Sequence, residues 1–164
     1  MAVRVKLRIL VKDLEKLCET VALVNSGFET TTPQLLIPRR LAEELAIWPG
    51  MLPEAKIVAY GTAGGVVKNY LIPNIVEVSI VEEDVQSKCI ADLVISEIEE
   101  EVLISDKLTG KLGIVLEDVG EGLYSLKMIQ TERLEAPIHH NTGKINTIKV
   151  RTKQVMNVLC PRLR

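Results

Sequence analysis

Apolar and polar residues alternate almost strictly in the first segment of the chain, Val3-Arg4-Val5-Lys6-Leu7-Arg8-Ile9-Leu10-Val11. A period of two puts the valines, leucines and isoleucines on one face and the basic residues on the other, the pattern of a half-buried strand. Residues 12–19 are polar and charged and predict the turn of a hairpin, whose second arm, residues 20–25, ends in Ala22-Leu23-Val24-Asn25. Thr30 to Pro33 predict a loop and Leu35-Leu36-Ile37 a short strand. Pro38 stands where a helix would begin, a position that tolerates proline, and strong helix formers run from Arg39 to Ala46, with Leu41 and Leu45 on one face. Trp48-Pro49-Gly50 ends that helix.

The second half continues in short strands. Residues 56–60 and 66–70 flank Gly61-Thr62-Ala63-Gly64-Gly65 and predict a β-hairpin with a glycine-rich tip. The tip lacks the Gly-Lys-Ser/Thr ending of a phosphate loop and leads into strand rather than helix. Further strands are expected at 75–81, 88–95, 102–104, 114–116 and 123–129, with acidic turns at Glu82-Glu83-Asp84 and residues 98–101. Ser105-Asp106 can cap a short helix over 107–112 that stops at Gly113. Eight or nine short strands, two short helices and a turn about every ten residues predict an all-β barrel or sandwich.

Composition sharpens this picture. The chain has 164 residues, 47% hydrophobic but only 3% aromatic, so its core is built from valine, isoleucine and leucine. Cys18, Cys89 and Cys160 are odd in number, far apart and free of any Cys-x-x-Cys spacing, which argues against a disulfide framework or a zinc knuckle. With neither a leader peptide nor a membrane span expected, the chain reads as a soluble protein of the reducing cytoplasm. The net charge of −2 is unevenly spread: residues 1–126 hold 12 Lys/Arg and 20 Asp/Glu, whereas residues 127–164 hold 8 and 2. This divides the chain into a body, 1–126, and a basic C-terminal extension, 127–164. His139-His140 in the extension reads as a surface loop rather than a metal pair, because neighbouring side chains on a strand point opposite ways.

The most informative stretch is Leu23-Val24-Asn25-Ser26-Gly27-Phe28-Glu29, a strand that delivers a small polar triplet into a loop. Asn, Ser and Gly are turn formers, so an ordinary strand exit is the plain alternative. Taken with the glycine-tipped hairpin and Val102-Leu103-Ile104-Ser105-Asp106-Lys107-Leu108, however, it resembles the retropepsin-like aspartic proteases over about residues 2–126. The resemblance implies a closed acid-protease barrel, homodimeric, with the active site at the two-fold axis and the hairpin acting as a flap over substrate. It implies catalytic positions at Asn25, Ser26 and Gly27, and peptide contacts from Phe28, Glu29, Tyr60, Gly64, Gly65 and Val66. No metal or cofactor is called for.

Two positions depart from the family pattern: Asn25 stands where the catalytic aspartate is expected, and Ser105 where a glycine is expected. The family's two aspartates share a proton, one acting as base toward water and the other as acid. An amide neither takes nor gives a proton near neutral pH, so little or no peptidase activity is expected. A natural pseudo-protease, an Asp→Asn silenced protease and an asparagine that deamidates before Ser26 all fit. The partners implied are a peptide or protein in the cleft and a second copy of the chain.

The alternative is a dimeric barrel that binds nucleic acid or another acidic partner through the basic extension. On that reading, a nucleic-acid gel shift appears at low salt, fades steeply as salt rises, and is lost on truncation after Gln130. The absence of any shift at low salt ends it.

Overall fold

The computed structural model describes residues 2–82 and 87–127. The extension beyond residue 127, with His139 and His140, and part of the expected acidic turn at 82–84 lie outside the described residues, as do residues 128 and 129 of the last expected strand.

The alternation at the start of the chain makes strand β1 (Arg4–Val11), with Val5, Leu7, Ile9 and Val11 buried and Arg4, Lys6 and Arg8 exposed. It pairs antiparallel with β2 (Lys16–Val24), which begins earlier than its polar composition suggests. The turn is only Lys12–Leu14, closed by Glu15 in the left-handed region at φ 50°. The charged residues beyond it belong to solvated strand faces, where Arg8 and Glu19 stand opposite each other with a 2.7 Å ion pair.

Strand β3 (Gln34–Pro38) runs directly into helix α1 (Arg39–Glu44). Pro38 is the extended residue before the helix rather than its first turn. The helix is shorter than expected because Ala46 takes a left-handed φ of 60°. Ala42 and Leu45 form its buried side, with Leu41 only half-buried.

Strands β4 (Lys56–Thr62) and β5 (Gly65–Ile80) form the expected hairpin, tightened to a two-residue turn at Ala63-Gly64. Gly65, at φ 117°, adopts a backbone that a side chain would disfavour. The two strands expected at 66–70 and 75–81 are one strand. Pro73-Asn74 forms a bulge in which Asn74 sits at φ 53° and its N–H donates to Asp92 Oδ1 at 2.9 Å.

The remaining elements are β6 (Lys88–Ser96), β7 (Val102–Ile104), α2 (Asp106–Lys111) and the small hairpin β8 (Ile114–Asp118) and β9 (Leu123–Leu126). Tyr124 of β9 donates to Glu82 Oε1 at 3.4 Å.

Among the described residues the strands pair in the order β1-β2-β7-β3-β6-β5-β4, and β1 also pairs with the far half of β5, Val76–Ile80. Six strands therefore close into a mixed barrel, with β2–β7 and β3–β6 parallel and β4 hanging from β5 outside the ring. Inward-facing residues of the six wall strands share one core, among them Leu7 and Ile9, Ala22 and Val24, Leu35 and Ile37, Val76 and Val78, Leu93 and Ile95, and Val102 and Ile104. No helix among the described residues is long and apolar enough to cross a membrane.

Leu7 is fully buried and Leu17 is 58% exposed. Leu7→Ala is expected to cost about 2–5 kcal/mol in urea unfolding, and Leu17→Ala no more than about 0.5 kcal/mol.

Candidate functional site

The outer face of the barrel carries a second apolar cluster, and strand register explains it. Leu23 of β2 stands beside Leu103 of β7, Leu103 beside Leu36 of β3, Leu36 beside Val94 of β6, and Val94 beside Leu71 of β5. Five side chains thus form one apolar row across the outside of the wall. Its middle members are nonetheless buried, Leu36 to 7%, Val94 to 0% and Leu103 to 9% exposure, because Phe28 and Tyr60 pack over them.

Two residues along each strand toward one end of the barrel, the same face turns polar. Asn25, Ser105, Gln34 and Asp92 occupy these places next to Leu23, Leu103, Leu36 and Val94. The Asn25 N–H donates to Ile104 O at 3.3 Å, which fixes the exit of β2 against β7. The Asn25 side chain then folds the loop: its Oδ1 accepts from Gly27 N at 3.1 Å, and its carbonyl accepts from Phe28 N at 3.0 Å. A Cβ at position 27 would stand 3.4 Å from Asn25 Oδ1, an ordinary contact. Asn25 and Phe28 are half-buried; Ser26, Gly27 and Glu29 are exposed.

Ser105, at the position where the resemblance would place glycine, has a structural task of its own. Its φ of −71° suits any residue. Its fully buried hydroxyl oxygen accepts from Leu108 N at 3.2 Å, capping α2, and from Gln34 N at 3.0 Å, joining that helix to β3.

Asp106 holds the other end of the Asn25 loop. Its N–H donates to Phe28 O at 3.1 Å, and its Oδ1 accepts from Thr30 N at 3.0 Å and from Lys107 N at 2.7 Å. Desolvation pushes this carboxyl up, but the Thr30 and Lys107 N–H groups, the Lys107 charge and the Thr30 hydroxyl together hold it below its ordinary 3.8.

The hairpin reaches this face through Tyr60. Its ring meets Phe28 edge-on, with centroids 5.7 Å apart, and its hydroxyl donates to Gln34 Oε1 at 2.9 Å. Gln34 Nε2 donates to Thr32 Oγ1 at 3.3 Å, and that hydroxyl donates to Asp92 Oδ2 at 2.6 Å. Asp92 also accepts from Asn74 N, so a chain of polar contacts runs from β4 of the hairpin through the wall to the bulge of β5. Burial, and then the charge of Asp92, push the Tyr60 phenol above its ordinary 10. At the hairpin's root Tyr70 meets Trp48 edge-on at 5.3 Å, and the Arg39 guanidinium covers Trp48 at 4.8 Å. Gly64, Gly65 and Val66 form the exposed tip.

Of the residues singled out in the sequence, Asn25, Gly27 and Phe28 form one loop, and Tyr60 is brought onto it from a distant strand. Sequence reasoning missed Thr32, Gln34, Asp92 and the loop-fastening role of Asp106. One signal was present: Asp92 is a lone carboxylate inside the apolar run Ile90-Ala91-Asp92-Leu93-Val94-Ile95, where only a specific partner justifies a charge. Among the described residues no three of His, Cys, Asp and Glu cluster in a way that could hold a metal ion.

Because the folded-state pKa of Asp106 is lowered, its contribution to stability is present above its unfolded value and is lost as pH falls through the lower folded one. The difference in melting temperature between the parent chain and Asp106→Asn is therefore expected to shrink as pH falls from about 6 to about 3. A constant difference would assign the residue no ionic role.

Comparison of the chain with protein-family models gives no match, and comparison with curated proteins gives none either.

Proposed function

We propose that this chain is a retropepsin-like aspartic peptidase scaffold whose cleft binds an extended peptide and whose catalytic step is silenced at Asn25. The observation that carries the reading is the convergence of the three motifs at one end of the barrel: the Asn25 loop leaves β2 against β7, the Ser105 cap follows β7 directly, and the hairpin bears on both through Tyr60 and Phe28. In this scaffold the active site is assembled from two copies of the chain about a two-fold axis, since a single Asn-Ser-Gly loop supplies half of the catalytic pair.

The chemistry of the amide accounts for silence without loss of structure. Asn25 Oδ1 accepts from Gly27 N, a bond a carboxylate oxygen would accept equally, so an acid at this position would keep the same loop. The amide NH2 is a donor where catalysis needs a group that exchanges a proton. Two such amides across an axis can bond to one another and still provide no base for water. Glu29, exposed just beyond the loop, is suited to meet the main chain of a bound peptide.

The deciding experiment compares the chain with Asn25→Asp on a denatured protein mixture from about pH 3 to pH 7, counting new peptide ends by mass spectrometry and the oligomeric state by light scattering. Cleavage is expected only from the Asp form, at least about 100-fold above the parent, with both forms dimeric. Two folded dimers that both fail to cut would remove the peptidase ancestry of the cleft, and a monomer at micromolar concentration would remove the two-fold site.

A further inference from the structure

The apolar row on the outer wall is covered by the protein's own side chains. Leu36, Val94 and Leu103 point away from the barrel core, yet Tyr60 and Phe28 seal them from water. The seal has two fastenings of different kinds: the edge-on contact of the two rings and the hydrogen bond from the Tyr60 hydroxyl to Gln34 Oε1. Tyr60 belongs to β4, the strand outside the closed ring, whose only sheet partner among the described residues is β5. Gln34 belongs to the wall and is 7% exposed. Its Nε2 is committed to Thr32 Oγ1, its backbone N–H to Ser105 Oγ and its carbonyl to Ser105 N, so Oε1 is the atom it turns toward the hairpin.

We propose that Tyr60 is the latch of this cleft, and that a ligand entering over Leu36, Val94 and Leu103 displaces it and is selected for an apolar side chain tipped with a hydrogen-bond donor that takes over Gln34 Oε1. The inference rests on the peptide-cleft reading and adds to it the class of side chain admitted. Displacing Tyr60 leaves an acceptor unpaired at the foot of an apolar pocket. A phenylalanine-like side chain would recover the ring contact with Phe28 but leave that acceptor dry, a loss that sites built around a buried polar group convert into strong discrimination. A tyrosine-like side chain recovers both. A long aliphatic side chain recovers neither the aromatic edge nor the hydrogen bond.

Two measurements test this, and neither uses a peptide or an assembled dimer. In the first, Tyr60→Phe keeps the ring and removes the hydroxyl. Amide hydrogen exchange over residues 58–62 is expected to accelerate about 2- to 10-fold, the range of one net hydrogen bond, while β1 and β2 stay unchanged. Unchanged exchange at residues 58–62 would overturn the latch.

In the second, Tyr60→Ala empties the pocket, and p-cresol and toluene are titrated into it by NMR. The expected result is p-cresol binding at least about tenfold more tightly than toluene, with shifts at Phe28 and Gln34, and equal binding of the two in the Tyr60→Ala, Gln34→Met double variant. Equal affinities in the single variant, or shifts elsewhere, would overturn the selection. Should Tyr60→Ala not fold, the exchange measurement on Tyr60→Phe still decides the latch. Failure of the cleavage and dimer experiment with these two holding would remove the peptide reading and leave the pocket and its selectivity. The reverse pattern would leave the cleft and remove the latch.

Discussion

The bend of β5 at Pro73-Asn74 is the constraint on which the rest of this molecule depends. A single strand has to close the barrel against β1 and also leave the barrel as an arm of the hairpin. Straight pairing cannot satisfy both, because the wall of a closed barrel curves away from the direction the arm must take. The bulge resolves the conflict by turning Asn74 into the left-handed region and shifting the register with β6 between Ile72 and Val76. The backbone N–H that the bulge removes from the ladder is recovered by the Asp92 carboxylate. That carboxylate is held in turn by Thr32, so the residue that shapes the barrel also belongs to the polar row beside the Asn25 loop.

Seen from this bend, the two faces of the wall have separate tasks. The inward side chains hold the barrel together through burial alone, since they are aliphatic and interlock without polar partners. The outward face turns from apolar to polar over two residues of β2, β7, β3 and β6, which gathers Asn25, Ser105, Gln34 and Asp92 at one end of the barrel. Ser105 links the two tasks: sealed from solvent, it ties helix α2 to β3 immediately beside the Asn25 loop.

Much of the fold was legible in the sequence because the relevant forces are local. The alternation over 4–11 reads directly as β1, Ser105 as a cap, and the glycines at 61–65 as a turn. What could not be read depends on partners far along the chain. Pro73 and Asn74 look like a break between strands, and only Asp92, eighteen residues on, makes them a bulge within one. The polar residues after Val11 look like a long turn, and only pairing with β1 shows that they continue the sheet. The site divides in the same way. The Asn25 loop is contiguous and was visible, and Tyr60 followed from the hairpin. Gln34, Thr32 and Asp92 gain meaning only from strands that meet in space, and the one trace they left was the carboxylate of Asp92 inside an apolar run.

Strand β4 carries a further consequence. Having β5 on one side and, among the described residues, no strand on the other, it offers a row of main-chain donors and acceptors to any extended chain that approaches, with Ile57 at 68% exposure and Val66 at 73% on the same hairpin. Lys56 and Lys68, exposed on its two arms, are the groups that oppose such an approach, by charge rather than by cover. Salt that screens the two ammonium groups would weaken that guard while leaving the folded barrel, whose core is aliphatic, intact.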